Sequence, residues 1–185
     1  EHYLNLCRAH APIDELFQAL HTFRILCATN VSDFGTQAIN QYISEKLFGV
    51  QNDQTFYHGQ AIMILQNDYH NDIFNGDIGI ISQINGRSLA YFENGAELKK
   101  IPVQLLPHCE TAFAMTIHKS QGSEFDNVMI ILPNFYSPIL TKELLYTGIT
   151  RAKHSLPLLS TEQQIKRVIL SKTQRFSGIS HQLNQ

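Results

Sequence analysis

The stretch Phe113–Asp126, FAMTIHKSQGSEFD, constrains the chain more than any other. An apolar run from Phe113 to Ile117 breaks off into His118, Lys119, Ser120, Gln121, Gly122, Ser123 and Glu124. A second apolar run, Val128 to Leu132, follows at once. Neither run alternates with polar residues. Both therefore read as strands covered on both faces, as in a parallel sheet flanked by helices. The polar hook between them is expected at the carboxyl edge of that sheet, where open α/β folds bind ligands.

The same pattern occurs earlier. Pro12 followed by Ile13, Leu16, Phe17 and Leu20 predicts a helix with Pro in its first turn. Arg24–Ala28 predicts a short buried strand, and Thr29–Gly35 its polar exit loop. Thr36 is the expected N-cap of a helix whose apolar positions are Ile39, Ile43 and Leu47, with Gly49 as its stop. Strand, loop and helix in that order make an α/β unit.

After Val50 the pattern changes. Only strand signals remain, at Ala61–Leu65, Asp77–Ile84, Ser88–Glu93 and Leu98–Leu106. Asn75-Gly76, Asn85-Gly86 and Asn94-Gly95 punctuate them, and Asn-Gly is the strongest short hairpin signal. A small antiparallel barrel over residues 56–107, set into an α/β domain made of residues 1–55 and 108–185, is the expected organisation. Beyond Phe113, Thr141 is expected to cap a helix running to about Ala152. Leu156–Ser160 follows as a last strand, kept weak or at an edge by Pro157. Ile165, Val168 and Ile169 mark a final helix, and the polar tail from Thr173 is expected to fray.

Composition narrows the possible functions. A net charge of −2 gives no global attraction to nucleic acid, so any such binding must use a local patch or backbone amides and hydroxyls. Cys7, Cys27 and Cys109 are widely spaced with no CxxC, which suits free thiols in a reducing compartment. No apolar run has membrane-spanning length, and no signal-peptide pattern is visible. The sequence begins in mid-pattern at Glu1 without Met, as expected of an excised piece. No GxxxxGK[ST] loop is present to cradle phosphates, and no strand ends in a carboxylate placed for Mg²⁺; Asp14-Glu15 sits in a helical pattern. The nine histidines show no metal-ligand spacing, and no GxSxG nucleophile occurs. Catalysis by this chain alone is not expected.

Arg151 is the sharpest single candidate. It stands at the end of the helix that follows Thr141, with Thr147 one turn earlier and Thr150 adjacent. Two readings compete. An arginine reaching a transferring phosphoryl group accelerates the reaction by roughly 10³ to 10⁵. An arginine that offsets a helix dipole contributes only a few tenths to about 1 kcal/mol.

Four stretches carry a family resemblance. TIHKSQGSEFD resembles motif V of the superfamily 1 DNA helicases, and LLYTGITRAK, Leu144–Lys153, resembles their motif VI. FYHGQAIMILQNDY from Phe56 and FNGDIGI from Phe74 narrow the resemblance to the carboxyl-terminal part of the RecD family, the alpha subunits of exodeoxyribonuclease V. It runs from about Phe23 to Leu183. It implies a RecA-like second motor domain of P-loop NTPase type, with an inserted barrel of Src-homology-3 type. It also implies a cytoplasmic, ATP-dependent 5′-to-3′ helicase with RecB and RecC as partners in double-strand-break repair and recombination. ATP and Mg²⁺ would serve the whole protein, with neither expected on this piece alone.

By that resemblance Arg151 senses the γ-phosphate. Gly122, Glu124 and Thr147 lie on the nucleotide side, Glu124 bonding the ribose or orienting Arg151. Thr116, His118, Lys119 and Ser120 lie on the side of single-stranded DNA, with Thr29, Asn30 and Ser32 ending the first strand on the same edge. For Lys119 and Ser120 a plain solvated loop fits equally. The stretch NVSDFG, Asn30–Gly35, departs from the charged residue and Gly-containing turn usual in the family. Tyr57, Tyr69, Phe74 and Tyr91 are core by default, with base stacking the alternative. A standalone or relaxase-associated helicase is the runner-up within the class. A catalytically inactive nucleic-acid-binding or scaffold module is the alternative outside it.

Overall fold

A computed structural model of the chain describes residues 1–50, 56–84, 86–95 and 97–171. The expected tail from Thr173 and Asn85 of the Asn85-Gly86 turn lie outside the described residues. In chain order the elements are α1 (His2–Arg8), α2 (Ile13–Thr22), β1 (Phe23–Cys27), α3 (Thr36–Phe48), β2 (Ala61–Ile64), β3 (Ile78–Ile84), β4 (Arg87–Asn94) and β5 (Glu97–Pro102). Then come β6 (Cys109–Thr111), β7 (Ala114–Thr116), β8 (Phe125–Ile131), α4 (Lys142–Ile149), β9 (Ala152–Ser155), β10 (Leu158–Leu159) and α5 (Glu162–Leu170).

The strands form two sheets. One has the order β10-β8-β1-β7, with β9 alongside the start of β8, and all its pairings are parallel. The other is antiparallel, in the order β5-β4-β3-β2-β6. Its last strand, Cys109–Thr111, lies past Pro107 and runs directly into β7 of the parallel sheet. The expected strand Leu98–Leu106 is shorter, because Val103–Leu105 form a 3₁₀ turn. Neither α1 nor β9 carried a sequence signal strong enough to be expected. β10 takes the sheet edge, where Pro157 beside it removes no needed donor.

The apolar core crosses between the sheets. Met63 of β2 packs in one cluster with Leu26, Val128 and Ile130 of the parallel sheet. Ala61, Ile80 and Tyr91 pack with Leu16, Phe17 and Leu20 of α2. The α2 face is the one the apolar spacing predicted.

α3 corrects two expectations. Its N-cap is Gly35, and Thr36 is its first helical residue. Its buried positions are Thr36, Asn40 and Ser44, while Leu47 is exposed. The reason lies beneath it. The corner Thr111–Ala114, where the chain leaves one sheet for the other, has backbone groups that need partners once buried. Asn40 supplies them: Nδ2 donates to Thr111 O (2.7 Å) and Ala114 O (2.9 Å), and Oδ1 accepts from Ala114 N (2.8 Å). Arg24, only 1% exposed, donates from Nη1 to Ala112 O at 2.7 Å and lies over the Phe125 ring. Gln60 adds a bond to Thr111 Oγ1. Gly49 ends α3 at φ 70, as expected.

Parallel pairing also fixes the course of the hook. Thr116 and Ile131 both face Cys27, while Asn127 faces Phe23 and β8 begins two residues earlier at Phe125. Because β7 and β8 both run parallel to β1, the residues between them must travel from the carboxyl edge back to the amino edge. They do so in tight turns: Ser120 N bonds Thr116 O, Gln121 N bonds His118 O, and Ser123 N bonds Ser120 O. The hook therefore starts at the carboxyl edge, as expected, but does not stay there.

Candidate functional site

The descent of the hook spreads the candidate residues from Thr29 and Thr116 at the carboxyl edge to Arg151 at the amino edge, with His118 and Thr147 lining one pocket between them. At the amino edge, Ser123 meets Arg151. Thr141 caps α4 by accepting from Leu144 N at 3.2 Å, and the helix ends at Ile149 rather than near Ala152. Arg151 stands in the turn before β9. Its N–H donates to Gly148 O, and its carbonyl accepts from Phe125 N at 2.9 Å. Its guanidinium donates from Nε to Thr147 O (3.2 Å), from Nη1 to Ser123 O (3.0 Å) and from Nη2 to Thr150 Oγ1 (3.3 Å). Three of five N–H donors are thus used, and no described carboxylate forms an ion pair with it. The Ser123 carbonyl, one residue before Glu124, orients Arg151; Glu124 itself is exposed.

Two glycines shape this edge. Gly122 has φ +87 and open space where a Cβ would stand, so its backbone is approachable from solvent. Gly148, inside α4, would place a Cβ 2.9 Å from Ile130 Cδ1. Its role is the close seat of α4 on β8, which the motif spacing alone did not reveal. Thr147 Oγ1 donates back to Glu143 O, one turn earlier.

At the carboxyl edge the side chains are tied to one another. Thr29 Oγ1 bonds Ser32 Oγ at 2.9 Å, and the Thr36 hydroxyl donates to Asn30 Oδ1. The first amides of α3 are also taken: Thr36 N donates to Thr29 O and Gln37 N to Asn30 O. Thr116 Oγ1 accepts from Lys119 N, and Lys119 Nζ pairs with Glu110 Oε1 of β6 at 2.7 Å. Ser120 is fully buried and its hydroxyl donates to Ile117 O at 2.7 Å, which removes it from any surface a DNA strand could touch. His118 is exposed, and with Gln121, Thr141 and Thr147 it lines a pocket of about 300 Å³ at the start of α4. Cys27 lies buried at this end of β1, and burial pushes its thiol up to about 12.

In the antiparallel sheet Tyr91 is core, whereas Tyr69 is 78% exposed and touches Phe74 edge-on. Tyr57 is half-buried, its hydroxyl on Ser44. Among the described residues no group of His, Cys, Asp and Glu could hold a metal ion, and no helix is long and apolar enough to cross a membrane.

Comparison with known proteins decides the family. The family model described as the UvrD-like helicase C-terminal domain matches residues 111–159, which span the hook, α4 and Arg151. The ATP-dependent RecD-like DNA helicase SH3 domain matches residues 36–95. The RecD subunit of the RecBCD enzyme of Haemophilus influenzae is 37% identical over 164 residues, covering 86% of this chain and 24% of that protein. That of Buchnera aphidicola subsp. Schizaphis graminum is 34% identical over 168 residues, covering 85% of this chain and 28% of that protein. The chain belongs to the RecD-like superfamily 1 helicases.

It corresponds to their C-terminal region and spans about a quarter of the length of these curated relatives. The fold agrees. Pif1 helicase from Bacteroides, solved with ADP-AlF3 and ssDNA, superposes with a TM-score of 0.57 at 16% identity, over 98% of this chain and 52% of that one. Pif1 helicase from Candida albicans gives 0.55 at 17% identity, over 98% and 56%. The parallel sheet is that of a helicase RecA-like domain, and the antiparallel sheet is of SH3-like kind. In this RecD-like chain sequence reasoning missed Glu110, Asn40 and Arg24. Arg24 alone left a trace: a charge at the head of an otherwise apolar strand.

Proposed function

We propose that the chain is the second motor domain of an ATP-dependent 5′-to-3′ DNA helicase, the alpha subunit of an exodeoxyribonuclease V acting with RecB and RecC on double-strand ends. On this reading residues 56–107 are a barrel inserted into a motor domain made of 1–55 and 108–185. The observation that carries it is the Arg151 fork. It is held by Ser123 O, Thr147 O and Thr150 Oγ1, with no carboxylate among the described residues neutralising it and two N–H donors unspent among them. That arrangement presents a fixed positive charge at the seam of the two motifs, beside the open backbone of Gly122. It fits one side of a nucleotide's terminal phosphate. ATP and Mg²⁺ would supply the phosphoryl group and its charge balance, held mainly by a preceding motor domain; this chain's part is to stabilise developing charge through Arg151.

Single-stranded DNA falls to the opposite edge, where Thr29, Asn30, Thr116, His118 and Lys119 offer hydroxyl, amide, imidazole and ammonium groups suited to backbone phosphates. The test of the reading is Arg151→Ala and Arg151→Lys in the full-length protein, by single-turnover hydrolysis and thermal melting. Turnover should fall by roughly 10³ or more while nucleotide affinity changes little, because a contact made mainly in the transition state appears in kcat. Lys should rescue poorly, since a point ammonium cannot reproduce the planar fork. A variant that melts early yet hydrolyses ATP at the wild-type rate would make Arg151 a dipole-compensating residue and end the assignment.

A further inference from the structure

The hook carries its cation in a pair. Lys119 Nζ meets Glu110 Oε1 at 2.7 Å, and the two side chains are 38% and 29% exposed. Glu110 belongs to β6, in the middle of three residues that end at the corner held by Asn40, Arg24 and Gln60. Its Cα is therefore fixed from the side of the antiparallel sheet, while Lys119 is fixed by the turn in which its N–H bonds Thr116 Oγ1. The ion pair thus ties β6 of the antiparallel sheet to the start of the hook, just past β7 of the parallel sheet.

Glu110 also lines a cleft of about 580 Å³ between α3 and the antiparallel sheet. The amides and hydroxyls that also line it, among them those of Gln37, Asn40, Gln41, Ser44 and Gln60, are uncharged. Glu110 is the only charged residue on that wall among the described residues. Its negative charge is felt by its neighbour: the Cys109 thiol is pushed up by burial first and by Glu110 second.

We propose that Glu110 is a built-in competitor of the DNA backbone: its carboxylate holds the Lys119 ammonium that a phosphate would otherwise take, and so sets how loosely the carboxyl edge grips a single strand. This rests on the nucleic-acid reading above and names the residue that regulates that site. The sign follows from electrostatics. A phosphate approaching Lys119 must displace the carboxylate or share the ammonium with it, and it meets a like charge within a Debye length in either case. An exposed ion pair is cheap to break, so competition is possible, and the pair contributes too little to act mainly as a positioning device. A motor that must release each phosphate as it advances is served by a weak, replaceable contact rather than a strong one.

The experiment is a double-mutant cycle in the full-length protein, using Glu110→Gln, Lys119→Ala and both together. Fluorescence anisotropy with a labelled oligo(dT) is read across a salt series, and thermal melting checks that each variant is folded. Glu110→Gln should tighten binding about two- to fivefold at low salt, the range of an exposed charge pair. Its salt dependence should steepen by about 0.7, the increment for one more single-strand phosphate neutralised. Lys119→Ala in the Glu110→Gln background should abolish both gains, while in the wild-type background it should cost less. Unchanged or weaker binding by folded Glu110→Gln, beside normal wild-type binding, overturns the competitor and leaves the nucleic-acid reading standing. Absence of binding by every variant at low salt overturns that reading, and the competitor with it.

Discussion

The two edges of the parallel sheet solve the same problem differently. At the amino edge the functional candidate, Arg151, is held by main-chain carbonyls of Ser123 and Thr147 and one hydroxyl, and keeps donors to spare. At the carboxyl edge the side chains of Thr29, Asn30 and Lys119 are bonded to the side chains of Ser32, Thr36 and Glu110. A carbonyl acceptor is fixed by the fold and cannot compete for a ligand. A side-chain partner can rotate away, so its bond is exchangeable. The amino edge is thus arranged to present one charge in one place, and the carboxyl edge to exchange contacts at modest cost.

The sharpest way to break this comparison is to disturb the backbone at each edge. Gly35 sits in the β1 exit loop, and a Cβ there would stand 2.3 Å from Asn30 O, a backbone atom that cannot swing aside. Gly35→Ala should therefore cost about 2–3 kcal/mol, which for a chain of this size lowers the melting temperature by about 5–10 °C. Gly122→Ala meets no atom but must hold φ +87, so it should cost about 1–2 kcal/mol. Gly122→Asn should recover part of that loss, because Asn tolerates the left-handed region. Equal losses from Gly35→Ala and Gly122→Ala in thermal melts would mean that the carboxyl-edge loop is not the tightly closed turn that its bonds to Thr29 and Asn30 describe.

Much of this contrast was hidden in the sequence, for definite reasons. The two apolar runs around the hook identified parallel strands, because a strand covered on both faces leaves a continuous apolar trace. The hairpin signal around Asn94-Gly95 likewise identified β4 and β5 of the antiparallel sheet, whereas Asn75-Gly76 closes no tight hairpin: Gly76 adopts positive φ at the end of a long connection between Ile64 and Ile78. α3 was found, and Ile39 and Ile43 do pack partly buried against the core, but its fully buried positions were not found. Ile39 and Ile43 were the natural choice, yet Asn40 and Ser44 are inside because a chain corner needs hydrogen-bond partners, and periodicity measures only apolarity. Motif resemblance brought Ser120 forward as a DNA contact, but exposure is a property of packing. The Glu110–Lys119 pair spans nine positions and two sheets, so no local spacing announces it.

A smaller effect separates neighbours within the hook. His118 is exposed and Ser120 is not, although both lie in the same motif. His118→Ala should weaken oligonucleotide binding about two- to tenfold, the range of one net hydrogen bond to a phosphate, with little change in melting. Ser120→Ala should do the reverse: it loses the bond to Ile117 O, lowers stability by about 1 kcal/mol, and leaves the affinity of the folded protein as it was. The two measurements are anisotropy and denaturant unfolding on the same preparations. A Ser120→Ala variant with wild-type stability and weakened binding would show that the hook opens to expose its interior when DNA binds.

The mildest test needs no substitution. Cys27 ends β1 at the carboxyl edge, is fully buried, and has its thiol pushed up to about 12 by burial from an ordinary 9.0. Only the thiolate reacts with an alkylating reagent, and at pH 8 the folded chain carries it in on the order of one molecule in 10⁴. Labelling should therefore proceed only when the edge opens, which makes its rate a reporter of local stability there. The sign of the linked stability is fixed. Between 9.0 and about 12 the unfolded chain sheds a proton that folded Cys27 keeps, so Cys27 subtracts stability as pH rises through that window and contributes no pH dependence below it. If a single strand seats on Thr29, Thr116 and His118, oligo(dT) should slow Cys27 labelling a few-fold. Cys7, buried against α2 and Tyr91 with its own thiol raised to about 11, should label at the same rate with or without DNA. Equal slowing of both cysteines would mean that DNA stabilises the chain globally rather than at this edge. No slowing of either would remove the carboxyl edge as the place where the strand lies.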